Sequence, residues 1–81
     1  MKNFDSLCKI YFSSEEVGDY ITVVYKDGSY VGMNDKPFWP LGICMHGEGL
    51  NFKSDLSHLG KRKHFSDLPE DCKKVVIRDL S

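Results

Sequence analysis

The chain has 81 residues, 41% of them hydrophobic and 12% aromatic, with 11 basic against 12 acidic side chains and a formal net charge of −1. That length suits a single domain over residues 1–81, and the near balance of charge argues against intrinsic disorder and against a dedicated nucleic-acid binder, which carries a basic excess. Three cysteines, Cys8, Cys44 and Cys72, are too few for a disulfide framework. No apolar run is long enough for a signal peptide or a bilayer span, so the expectation is a cytoplasmic protein with no membrane partner.

Cys8, Ile10 and Phe12 alternate with Lys9, Tyr11 and Ser13, the period of a half-buried strand. Residues 13–19 follow as a turn, in which the adjacent carboxylates of Glu15 and Glu16 meet water. Tyr20 to Tyr25 and Ser29 to Met33 are rich in β-branched and aromatic residues, and Asp27-Gly28 between them suits a tight two-residue hairpin. That hairpin sets Tyr25 opposite Tyr30 and Val24 opposite Val31. One face then carries Ile21, Val23, Tyr25 and Tyr30, and the other Val24, Val31 and Met33. Two apolar faces are more than one helix covers, so loops, a partner or a second copy must cover the rest.

Asn34 to Pro40 holds two prolines and reads as a loop presenting Phe38 and Trp39. Leu41 to Gly49 reads as a short edge strand or an irregular segment, and Asn51 to His58 as loop or one helical turn. Lys61 to Phe65 reads as a basic edge strand, with Lys61, Lys63 and Phe65 on one face and Arg62 and His64 on the other. A helix follows, capped by Ser66 or Asp67 and with Pro69 in its first turn. Leu68, Cys72, Val75, Val76 and Leu80 form its apolar stripe. The expected class is α+β: a small antiparallel β-meander of three to four strands with one C-terminal helix packed on one face.

No residue pattern carries catalysis. Cys44-x-His46 could pair a thiol with a base, but no third group is placed to orient the imidazole. Cys44, His46, His58 and His64 offer zinc-ligand types without the paired short spacings of a structural site, so neither metal nor cofactor is expected. The glycines match no phosphate loop. The basic run Lys61, Arg62 and Lys63, with Lys53 and the nearby Phe52 and Phe65, makes weak nucleic-acid binding the alternative function.

Gly42-Ile43-x-x-His46-Gly47-Glu48 and Leu59-Gly60-Lys61-Arg62-x-x-Phe65-x-x-Leu68-Pro69-Glu70 resemble segments of short uncharacterised accessory proteins of bacteriophages and prophages. The resemblance covers residues 42–70 and implies a bacterial host cytoplasm, with a host protein as the object of modulation. It transfers no catalytic residue. The resulting expectation is a non-enzymatic protein-interaction module that binds a protein partner or itself as a homodimer. Tyr25, Tyr30, Met33, Phe38 and Trp39 would anchor the contact, with Glu48, Lys61 and Arg62 at its rim.

Overall fold

A computed structural model of the protein describes residues 3–13 and 20–81. A short helix α1 (Phe4–Leu7) leads into strands β1 (Cys8–Ser13), β2 (Tyr20–Tyr25), β3 (Ser29–Met33), β4 (Ile43–Glu48) and β5 (Lys61–Lys63), followed by helix α2 (Glu70–Leu80). The strands make one antiparallel sheet in the order β4-β3-β2-β1-β5. The α+β class is as expected, with five strands where three to four were anticipated. The expected turn over 13–19 lies outside the described residues but for Ser13, which ends β1.

The β2–β3 hairpin corrects the anticipated register. Its loop has three residues, Lys26, Asp27 and Gly28. The Gly28 amide donates to the Tyr25 carbonyl at 3.0 Å, and Gly28 takes φ +90°, where a side chain would be strained. The Asp27 carboxylate accepts from the Ser29 amide at 2.9 Å. Val24 therefore faces Tyr30, and Val23 faces Val31. Side chains alternate along a strand, so a slip of one residue exchanges whole sets between faces. Val31 and Met33 join Ile21, Val23 and Tyr25 on the helix side, and Tyr30 crosses to the other side with Val24.

On the helix side, Leu68 just before α2 and Cys72, Val75 and Val76 of α2 lie in one cluster with Cys8, Ile10, Ile21, Val23, Val31 and Met33, with Leu80 partly buried at the margin. This is the stripe the periodicity predicts. The cap differs. Pro69 precedes the first helical residue, while Asp67 belongs to a 3₁₀ turn (Phe65–Asp67) and accepts from the His64 amide at 2.9 Å. Neither Ser66 nor Asp67 therefore caps α2. The turn is fastened from below: Phe4 stacks on Phe65 with centroids 4.2 Å apart, and the Asp5 carboxylate accepts from the Phe65 amide at 2.8 Å.

The second face has a roof of its own. Tyr11, Val24 and Leu56 are buried together, with Tyr30, Leu50, Phe52 and Leu59 packed around them. Residues 50–59, which include a 3₁₀ turn (Ser57–Leu59), thus supply the cover that α2 cannot. The hairpin face is a second small core.

Candidate functional site

Residues 34–42 form a loop with a rigid base and a greasy tip. The Asn34 side chain accepts from the Lys36 amide at 2.8 Å. Trp39 donates to the Lys36 carbonyl at 3.1 Å, Gly42 to that of Trp39 at 2.8 Å, and Asn34 to that of Gly42 at 2.9 Å. Gly42 is buried where any side chain would strike the Lys36 carbonyl. The Cys72 thiol donates to the Asn34 carbonyl at 3.3 Å and ties the loop root to α2. From this base project Phe38, Trp39 and Leu41, at 53%, 64% and 89% exposure, and the adjoining β4 adds Met45 at 49%. Four of the five large hydrophobic side chains that stand in solvent among the described residues therefore fall within residues 38–45; Ile77 is the fifth.

Leu41 sharpens the point. Its φ is +64°, the left-handed region that costs a residue with a side chain about 1–2 kcal/mol. The fold keeps an apolar side chain in solvent on a backbone that favours glycine. Lys36 lies 5.0 Å from the Trp39 ring centroid, steadying the indole without covering the loop tip.

Beside the loop runs β4, which pairs only with β3 among the described residues. The Gly28 carbonyl accepts from Gly49 and Leu50, and the Asn34 amide donates to Gly42, so even-numbered residues of β3 turn their backbone toward β4. Their partners Gly47 (opposite Tyr30) and Met45 (opposite Gly32) are thereby satisfied. His46 and Glu48 consequently turn their amides and carbonyls outward, and both side chains are exposed. A bulge at Gly32/Met33 ends the regular pairing near Ile43.

Two expected anchors are withdrawn. Met33 is fully buried beneath α2 because the corrected register moves it to the helix side, and Tyr25, which shares that side with Ile21 and Val23 in either register, is nearly buried there. The Tyr25 hydroxyl donates to the Asp79 carboxylate at 2.7 Å; burial, reinforced by that bond, raises its pKa far above the ordinary phenol value. It pins the end of α2 to the sheet. Tyr30 is half-buried and lies over Gly47, where a side chain would collide with its ring. Phe38, Trp39 and Glu48 belong to the surface just described. Lys61 and Arg62 do not, because β5 lies at the opposite edge of the sheet.

The aromatics near the basic segment are already faced by cations. Arg62 stands over Tyr11 at 5.8 Å, Lys63 over Phe12 at 5.8 Å and Lys9 over Phe52 at 5.0 Å. Lys53 is exposed beside Phe52, on the roof segment. Such pairing leaves little aromatic surface on which bases could stack.

Next to β4, a cleft of about 480 Å³ is lined by Tyr25, Lys26, Ser29, His46 and Asp79 among others. Asp27 at its rim has a pKa below the usual carboxylate range, held there by the Ser29 hydroxyl and then the Ser29 amide. Cys8 and Cys72 are buried, and burial is the main cause that pushes both thiols up to about 11, away from nucleophilic chemistry. Cys44 lies in β4, two residues before His46. His64 lies 3.4 Å from Asp5, and His58 sits in the 3₁₀ turn (Ser57–Leu59). Among the described residues, no three His, Cys, Asp or Glu side chains gather to hold a metal ion, and no helix is long and apolar enough to cross a membrane.

Comparison with known families, curated proteins and solved structures finds no match. Sequence reasoning missed Leu41 and Met45 as surface residues. Both sit in a stretch punctuated by glycines with no clean period, where an apolar residue defaults to the core.

Proposed function

We propose that the protein is a non-enzymatic interaction module that binds a polypeptide partner at the corner formed by residues 38–48. The concentration of exposed apolar side chains in that corner carries the reading. Phe38, Trp39, Leu41 and Met45 are the anchors, and Glu48 stands at the rim. The outward backbone of His46 and Glu48 offers a ladder for strand addition, in which main-chain hydrogen bonds supply affinity and neighbouring side chains supply selectivity. The resemblance of residues 42–70 to phage and prophage accessory proteins makes a host protein of the bacterial cytoplasm the first class of partner to seek.

The test is affinity capture from bacterial lysate with the native chain and with Trp39→Ser, each held at equal concentration. A partner retained by the native chain and reduced at least tenfold by the variant supports the reading, as expected for a truncated aromatic anchor. A partner retained equally by both contradicts it. The native fold of Trp39→Ser is checked by its melting temperature, which should shift little for so exposed a side chain.

A further inference from the structure

We infer that one occupant of the β4 edge is a second copy of the chain, paired antiparallel about Gly47. The inference rests on the reading of residues 38–48 as an interaction surface and names its partner and register.

Charge along the edge points to self-pairing. Glu48 is the only Asp, Glu, Lys or Arg in β4. A two-fold axis at Gly47 places His46 opposite Glu48 of the second copy, and Glu48 opposite the second copy's His46. Each face-to-face pair is an imidazole against a carboxylate, which is favourable or neutral and never like against like. These are also the residues whose amides and carbonyls point outward, so the two pairs exchange four main-chain hydrogen bonds. At the axis the two Gly47 residues meet with no side chain between them. The Tyr30 rings that lie over each Gly47 come together on the other face. A register centred on His46 would instead set the two imidazoles against each other and would call on the bulged end of the strand.

The same operation fails at the other edge. Pairing β5 with itself about Arg62 would set arginine against arginine and Lys61 against Lys63 twice. Pairing β4 with β5 would be head-to-tail, leaving a free edge at each step and building a fibre rather than a closed dimer. The β4 pairing closes at two copies, giving one continuous ten-stranded sheet.

The test uses the full chain in a Cys44→Ser background carrying either His46→Cys or Glu48→Cys. Paired positions of this kind have Cα atoms about 5.5 Å apart, within disulfide reach. Under mild oxidation, an equal mixture of the two variants should yield at least tenfold more disulfide-linked dimer than either variant alone. Sedimentation equilibrium provides the second arm. The native chain should dimerise reversibly, Glu48→Lys should weaken the dimer about tenfold, and His46→Glu with Glu48→Lys should restore it. A native chain that stays monomeric at about 500 μM overturns the inference, as does His46→Cys cross-linking to itself as well as the mixture does. Either result leaves a Trp39-dependent lysate partner standing, so failure of this inference is distinguishable from failure of the proposed function.

Discussion

β5 is three residues long and each one is basic, whereas β4 is six residues long with one formal charge, at Glu48. In β5 only Arg62 turns its backbone away from the sheet, because Lys61 and Lys63 face β1. In β4 both His46 and Glu48 do so, and the Phe38-Trp39-Leu41 tip stands next to them in sequence. Short length and clustered lysine are the usual protections of a sheet edge against unwanted pairing. One edge of this sheet has that protection and the other lacks it. Two edges of one small sheet can thus differ in whether they accept a strand, and the difference is set by a handful of side chains.

The contrast breaks most severely at Gly60. It takes φ +128°, and a side chain there would strike the Phe12 carbonyl just before β5 joins β1. Gly60→Ala should cost about 3 kcal/mol and strip β5 from the sheet. Chemical denaturation should show the loss, and light scattering should show aggregation through the uncovered edge of β1.

Raising the pH loosens both edges together. Cys8 sits in β1 beside β5, and Cys72 holds the root of the loop before β4. Their thiols are raised from 9.0 to about 11, so the fold favours the neutral form. That contribution is complete below about pH 9 and is lost as pH rises through about 11. The melting temperature should therefore fall between those values, and Cys72→Val should flatten part of the decline.

At the open edge the effect is smaller and opposite in sign for stability. Leu41→Gly should relieve the left-handed strain, offset in part by the greater freedom of the unfolded chain, and stabilise the fold by about 0.5 kcal/mol. The same change should weaken partner binding, separating the role of Leu41 from any role in packing. Least of all should happen with Lys61→Glu and Arg62→Glu. Stability should move by no more than about 0.5 kcal/mol, and dimer or partner affinity should stay within twofold.

The sheet interior and α2 were legible because their signals are periodic. Tyr20–Tyr25 and Ser29–Met33 match the observed strands end to end, and the stripe from Leu68 to Leu80 packs as its spacing dictates. The hairpin register was not legible, because Asp27-Gly28 serves a two-residue loop and a three-residue loop with a bulge equally well. That single residue moved Val31 and Met33 to the helix side and Tyr30 to the other face. Phe38 and Trp39 were legible as a proline-framed aromatic pair, yet their exposure depends on hydrogen bonds closing the loop from Asn34 to Gly42, which composition does not encode. The roof over Tyr11 and Val24 escaped notice because residues 50–59 bury Leu56 from irregular backbone, with neither period to announce it.

Amide hydrogen exchange read at single residues, at low and high protein concentration, tests most directly whether β4 is open and β5 is blunted. At low concentration His46 and Glu48 should exchange fast while Met45 and Gly47 are protected. At high concentration His46 and Glu48 should slow, and Arg62 should remain fast throughout. Fast exchange at His46 and Glu48 at every concentration, or slowing at Arg62 instead, would contradict the account.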